Sequence, residues 1–170
     1  MLTSLSLTPY NFFIINFFTF SLFYLFLNSK LKRNKNSKLF FLYGWSFGFG
    51  YFLTNLYWIS ISLTYDQSLK FLIPFTTILI PGFLALFYGT ISCLFKIFHP
   101  KNLISSFLTF SLIFGIVEFL RGLILTGFPW NLIVYSFSKQ LEFLNITSII
   151  GTYGLNLFCI SLFTSPAIIF

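Results

Sequence analysis

Five long apolar segments constrain this fold more than any other feature of the sequence. Each is close to the ~20 residues that an α-helix needs to cross ~30 Å of hydrocarbon. None alternates polar and apolar residues, and open sheet edges cannot be satisfied in lipid. The sequence therefore predicts an all-α integral membrane protein, a bundle of about five transmembrane helices. This domain fills residues 1–170 without a soluble domain, with helices near 10–27, 39–63, 71–95, 103–125 and 145–170.

The low content of charged residues excludes a soluble globule. Charged side chains make up 8% of the 170 residues and hydrophobic ones 57%, whereas soluble domains are about a quarter charged. The net charge of +7 is a possible nucleic-acid signal, but its distribution argues otherwise. Half of the basic residues fall in the short loop 28–38, namely Lys30, Lys32, Arg33, Lys35 and Lys38. Such clustering is typical of a cytoplasmic loop, so nucleic acid is not an expected partner.

The positions of the remaining basic residues predict how the chain is oriented in the membrane. Loops 28–38 and 96–102 together carry seven basic residues, against one each in loop 64–70 and segment 126–144. Because basic residues are retained on the cytoplasmic side, loops 28–38 and 96–102 are predicted to be cytoplasmic. Segment 126–144 is predicted to be periplasmic.

Two glycines predict a close contact between helices. Gly44 and Gly48 have the G-x-x-x-G spacing, which lets a neighbouring helix approach the backbone.

One charged pair lies inside an apolar segment. Glu118 and Arg121 are three residues apart, so their side chains share a helix face. Charge at membrane depth is costly enough to indicate a functional site. The alternative interpretation is a mutually neutralising pair that fixes helix packing.

The residues that follow this pair have two interpretations. Gly127 and Pro129 are expected to end the helix, while Phe128 and Trp130 place large rings at the membrane interface. The segment is either an anchored helix exit or a lip beneath which an acyl chain can slide.

No complete catalytic constellation is visible in the sequence. It contains no phosphate loop, no H-E-x-x-H motif and no nucleophile elbow. Cys93 and Cys159 lie in apolar segments, where the reactive thiolate is disfavoured. We therefore expect no catalytic residue, no metal and no cofactor in this chain.

The charged pair and the residues after it carry a family resemblance. The run Glu118-Phe-Leu-Arg-Gly-Leu-Ile-Leu-Thr-Gly-Phe-Pro-Trp130 resembles the E-x-L-R-G-x-x-x-T-G-F-P-W signature of the apolipoprotein N-acyltransferases. Further segments fit the family in the same order, namely Thr8-Pro-Tyr10, Gly44-Trp-Ser-Phe-Gly-Phe-Gly50, Tyr57-Trp-Ile59 and Gly151-Thr-Tyr-Gly-Leu-Asn156.

The resemblance implies a bacterial inner-membrane enzyme with eight transmembrane helices and a periplasmic nitrilase-like domain inserted before the last helix. Such an enzyme moves an acyl chain from a phospholipid to the amine of a diacylglyceryl-cysteine at a lipoprotein N-terminus. The reaction passes through a thioester on the cysteine of a Glu-Lys-Cys triad. The implied partners are therefore a phospholipid acyl donor, a lipoprotein acceptor and membrane lipids.

The resemblance also implies which parts of the family this chain carries. The triad belongs to the nitrilase-like domain, which is expected beyond Phe170 and would act in cis or in trans. The family's first helix is also expected to be missing, with Met1–Thr8 resembling its tail. The resemblance implies that six residues bind substrate by shaping a lateral opening for lipid. These candidates are Glu118, Arg121, Gly127, Phe128, Pro129 and Trp130.

Two functions from different classes therefore remain open, while a small transporter is disfavoured because the sequence shows no repeat symmetry and only one intramembrane charged pair. The first is the membrane-embedded portion of an acyltransferase that matures bacterial lipoproteins. The alternative is a non-enzymatic membrane subunit that binds lipid or acts as a scaffold for a partner.

Overall fold

The chain folds as helices joined by short turns. The computed structural model describes residues 1–31, 36–125 and 131–169, and this part of the chain contains no β-strand. The α-helices are α1 Ile15–Leu31, α2 Ser37–Asn55, α3 Tyr57–Ser62, α4 Ile73–Phe98, α5 Leu103–Ile124, α6 Leu141–Leu144 and α7 Thr147–Thr164. Short 3₁₀ helices cover Leu2–Ser6, Leu63–Tyr65, Gln67–Leu72, Ile133–Phe137 and Ser165–Ile168.

The helices have the composition of a membrane protein. Among the described residues, three helical stretches are long and apolar enough to cross a bilayer, namely Gln67–Phe98, Leu103–Ile124 and Thr147–Ile168. The expected all-α membrane fold is thus confirmed. Helix α1 has only 17 residues, and α2 contains several small and polar residues, so a bundle of about five spans stays a prediction.

Two breaks interrupt segments that the sequence presents as continuous. Helix α2 ends at Asn55, whose side-chain amide donates to the carbonyl oxygen of Tyr51 at 2.9 Å. A side chain that bonds the preceding turn competes with the regular backbone ladder, and a separate short helix, α3, follows. Within α7, Gly151 has φ of +74°, a conformation that glycine adopts without steric cost.

Helices α2 and α4 pack at the distance that the two glycines allow. A Cβ atom on Gly44 would lie 2.2 Å from the carbonyl oxygen of Tyr88, and one on Gly48 would lie 2.7 Å from the Cβ of Tyr88. Side chains at these positions would collide with the opposite helix. The close approach predicted from the G-x-x-x-G spacing is therefore confirmed.

Aromatic rings fill the interior between α1 and its neighbours. Phe20 of α1 is fully buried. Its ring centroid lies 6.0 Å from that of Phe47 in α2, 5.5 Å from that of Phe114 in α5 and 6.4 Å from that of Phe163 in α7. Because dispersion contacts rather than a hydrophobic force hold helices together in lipid, these ring contacts supply much of the packing.

We expect Gly44→Ala to destabilise the fold, because the added methyl group would overlap the Tyr88 carbonyl. Overpacking of this kind costs roughly 1–3 kcal/mol of unfolding free energy. Gly82→Ala in α4 is the matched control, since its Cβ would meet Trp45 at an ordinary 3.9 Å. Thermal unfolding in detergent measures both variants. Equal midpoints for the two variants would show that the α2–α4 contact is looser than the structure indicates.

Candidate functional site

The charged pair of α5 lies in the interior of the bundle. Glu118 and Arg121 each expose only 1% of their side-chain surface, and the Nη2 group of Arg121 donates a hydrogen bond to Oε2 of Glu118. A lone charge in such a place is strongly penalised, whereas a paired one is tolerated. Glu118 and Arg121 are the two predicted site residues in the described part of the chain, and the structure places them in contact.

Helices α2 and α4 supply an aromatic wall against the pair. The guanidinium carbon of Arg121 lies 5.3 Å from the ring centroid of Phe52, which is within the range of a cation–π contact. Phe52 packs in turn at 5.3 Å on Tyr88, and Tyr88 packs at 6.2 Å on Tyr51. The close α2–α4 contact therefore places this wall beside the charge.

The chain beyond α5 is held by side chains from two other helices. The hydroxyl of Tyr51 in α2 donates to the carbonyl oxygen of Asn131 at 2.9 Å. The side-chain oxygen of Asn156 in α7 accepts a hydrogen bond from the backbone N–H of Val134 at 3.1 Å. These two bonds fix the course of residues 131–134 close to the bundle.

A second close contact joins α5 to α7 next to the pair. A Cβ atom on Gly122 would lie 1.7 Å from the hydroxyl oxygen of Tyr153, so a larger residue at position 122 would have to displace the Tyr153 ring. Gly122 follows Arg121 directly, and Tyr153 belongs to the Gly151–Asn156 run. Two sequence motifs that lie far apart along the chain therefore touch in the fold.

The other four predicted site residues lie outside the described part of the chain. Gly127, Phe128, Pro129 and Trp130 fall between Leu125 and Asn131, the last and first described residues on either side. Their assignment to the site stays a prediction.

Sequence reasoning missed the side chains that enclose the pair. Phe52, Tyr51 and Tyr88 carry no distinctive signal in a chain with 28 phenylalanines and nine tyrosines. Asn156 was identifiable, because an amide inside an apolar segment needs a partner. It entered only as part of the Gly151–Asn156 run.

The two cysteines and the histidine take no part in the contacts of this site. Cys93 and Cys159 are free thiols on different helices. His99, just after α4, has its Nδ1 atom 3.1 Å from the hydroxyl of Ser106, and burial lowers the pKa of this imidazole below its ordinary value. No group of three or more metal-ligating side chains occurs among the described residues.

The fold and the site define a class: an all-α membrane protein with a buried ion pair inside the bundle. Residues 1–163 match the sequence model of the apolipoprotein N-acyltransferase N-terminal domain. The chain therefore belongs to the apolipoprotein N-acyltransferase family.

Individual members of the family are similar over almost the whole chain. The apolipoprotein N-acyltransferase of Rickettsia prowazekii is 37% identical over 160 residues, which cover 94% of this chain and 31% of that protein. The enzyme of Rhodopseudomonas palustris is 34% identical over 171 residues, covering 99% and 32% respectively. The chain thus spans about a third of the length of these relatives.

We expect Glu118→Gln to destabilise the protein, because it leaves the guanidinium of Arg121 buried without its counter-ion. Removing one partner of a buried pair typically costs about 3–5 kcal/mol. Replacing both residues, as Glu118→Gln with Arg121→Met, leaves no buried charge and should restore most of the folded yield. Gel filtration in detergent measures that yield. A double variant less stable than the single one would contradict the pairing account.

Proposed function

We propose that this chain is the membrane part of an apolipoprotein N-acyltransferase. In this proposal the enzyme transfers an acyl chain from a phospholipid to the N-terminal amine of a diacylglyceryl-cysteine in a lipoprotein. The observation that carries the proposal is the buried Glu118–Arg121 pair, which lies within the family signature in a chain that matches the N-terminal domain over residues 1–163.

The pair and the residues after it would serve the lipid donor. In this proposal Glu118 and Arg121 hold the end of α5, while Gly127, Phe128, Pro129 and Trp130 border a lateral opening through which a phospholipid enters. The hydrogen bond from Tyr51 to Asn131 and the contact of Phe52 with Arg121 support this role. These two contacts link α2 to Arg121 within the signature segment and to Asn131 just after it.

The chemical step would belong to a part of the family outside the third of the relatives' length that this sequence matches. Acyl transfer through a thioester needs a thiolate, a base and an oxyanion donor in one place. Cys159 is fully buried among apolar side chains, and Cys93 donates its thiol hydrogen to the carbonyl oxygen of Ser37 at 3.3 Å. We therefore propose that a nitrilase-like domain supplies the nucleophile, in cis or in trans.

The setting of this function would be the bacterial inner membrane. Loop 28–38 would face the cytoplasm and segment 126–144 the periplasm, where lipoprotein acceptors are presented. The distribution of basic residues supports this orientation.

The alternative function is a non-enzymatic subunit that binds lipid or acts as a scaffold for a partner. Its support is the burial of Glu118 and Arg121 against each other, since a mutually neutralising pair can fix helix packing without taking part in a reaction. The two proposals differ in whether the chain works when joined to the remainder of a relative.

The orientation can be tested by cysteine labelling. We expect an impermeant maleimide to label Gln140→Cys and not Asn34→Cys in intact spheroplasts, in a background where Cys93 and Cys159 are serine. Neither substitution changes a charge, so the topology signal itself is preserved. Membrane permeabilisation should make Asn34→Cys reactive. Labelling of Asn34→Cys alone in intact spheroplasts would invert the proposed topology.

The role of the pair can be tested in a chimera in which this chain replaces the matching region of the Rickettsia prowazekii enzyme. We expect Glu118→Gln to lower acyl-enzyme formation more than folded yield. The double variant Glu118→Gln with Arg121→Met should regain yield but not activity, because the charges that place the opening are gone. Mass spectrometry of a diacylglyceryl-peptide acceptor reports the reaction.

Phe119→Leu is the matched control for this experiment, because Phe119 lies between the two charged residues but faces outward, with 43% of its surface exposed. It should leave the activity unchanged. Full activity in the double variant would assign the pair to packing alone. An inactive parent chimera that folds normally would favour the scaffolding alternative.

A further inference from the structure

Helices α1 and α5 face each other through two pairs of aromatic side chains. The ring centroids of Tyr24 and Phe110 are 5.4 Å apart, and those of Phe20 and Phe114 are 5.5 Å apart. The second pair lies four residues back along α1 and four residues forward along α5 from the first pair. The two helices are therefore antiparallel, with about one helical turn between the pairs.

Two buried polar side chains lie about one helical turn beyond these aromatic pairs. Four residues before Phe20 is Asn16, and four residues after Phe114 is Glu118. Asn16 is 0% exposed and Glu118 is 1% exposed. One further turn of the same antiparallel arrangement therefore brings an amide opposite a carboxylate, and both residues are buried inside the bundle.

Both side chains have hydrogen-bonding capacity that no described residue satisfies. Within the described part of the chain, neither Oδ1 nor Nδ2 of Asn16 has a hydrogen-bond partner, and Oε1 of Glu118 has none, although its Oε2 accepts from Arg121. The buried hydroxyl of Tyr88, whose ring lies 5.0 Å from that of Phe114, also lies close to Glu118 but makes no hydrogen bond of ordinary geometry among the described residues. Buried polar groups are almost always hydrogen-bonded to protein or to ordered water, so this concentration of unsatisfied atoms points to a ligand.

One turn beyond the two aromatic pairs, the side chains that face each other are smaller. In the two aromatic pairs, rings fill the gap between α1 and α5. At the polar position the gap lies between an asparagine and a glutamate, which are shorter than the tyrosine and phenylalanine side chains of the aromatic pairs. The site is polar on two sides, which is the condition under which a buried cavity holds water rather than staying dry.

We propose that Asn16 and Glu118 together bind ordered water inside the membrane domain, at a position that we call the Asn16–Glu118 water site. The water donates hydrogen bonds to Oε1 of Glu118 and to Oδ1 of Asn16, and it accepts one from Nδ2 of Asn16. Three hydrogen bonds are the usual number for a buried water.

This site explains how both oxygens of the carboxylate are stabilised. Arg121 binds one oxygen of Glu118, and the water binds the other. Asn16 is then a positioning residue, which couples α1 to the ion pair of α5 through the water. The inference is independent of the proposed acyl transfer, since it concerns only how the buried charge is solvated.

Water-edited solid-state NMR on the full chain in lipid vesicles tests the proposal. The chain contains only two glutamates, Glu118 and Glu142, so Glu142→Gln leaves a single site for a carboxyl-¹³C-labelled glutamate introduced by cell-free synthesis. We expect magnetisation from water protons to reach the Glu118 carboxyl carbon much faster than it reaches the ring carbons of buried Phe110. Build-up as slow as that of Phe110 would overturn the proposal.

Two variants of Asn16 identify the residue that holds the water. Asn16→Leu has a similar size but no polar atom, and we expect it to abolish the fast build-up at Glu118. Asn16→Ser keeps a hydroxyl and should retain the fast build-up. Arg121 is present in every sample, so exchange of its protons cannot account for a difference between them.

Ser111→Ala is the matched control, because Ser111 also has a buried hydroxyl that no described residue satisfies but lies elsewhere on α5. It should leave the build-up at Glu118 unchanged. Fast build-up that persists in Asn16→Leu would show that Asn16 does not hold the water, and it would contradict the proposal. If Asn16→Leu does not fold, the parent and Asn16→Ser spectra still decide the question. The readout does not involve acyl transfer, so its failure is distinct from a failure of the proposed function.

Discussion

The packing of the helices in this domain depends on the ion pair between Glu118 and Arg121. Two opposite charges that expose 1% of their surface are stable only if each remains next to the other, because the penalty for one orphaned charge is several kcal/mol. The position of α5 relative to its neighbours is therefore constrained. A shift that separates the pair, or that removes the Phe52 ring from the guanidinium, is strongly disfavoured.

The surrounding contacts follow from this constraint. Phe52 reaches Arg121 because α2 lies directly against α4, and this packing requires glycine at positions 44 and 48. On the other side of the pair, Gly122 admits Tyr153 from α7. Small residues therefore set the helix spacing on both sides of the charge, as expected where close packing rather than water-driven burial holds helices together. The same arrangement holds the chain that leaves α5, through Tyr51 and Asn156.

The sequence was sufficient to predict the parts of the fold that depend on local composition. Long apolar runs predicted helices, the G-x-x-x-G spacing predicted the α2–α4 contact, and the spacing of Glu118 and Arg121 predicted their pairing. Segment 126–144 was predicted only to be periplasmic, and its sequence did not indicate that Leu132, Ile133 and Val134 would be almost fully buried. Their burial depends on Asn156, 22 residues further on, and a contact of that kind cannot be read from local periodicity. The aromatic wall around Arg121 was equally hidden, since no pattern distinguishes one ring from another in so phenylalanine-rich a chain.

The central claim is that a phospholipid donor enters beside the charged end of α5. The most direct test is photo-crosslinking of the chimera with a phospholipid whose diazirine lies next to the ester carbonyl, followed by peptide mapping. The account predicts adducts on residues 119–135. The competing location is the apolar groove between α2 and α4, a cavity of about 450 Å³ lined by Trp45, Phe49 and Phe83 among others. Adducts confined to that groove, with none near Glu118 and Arg121, would contradict the account.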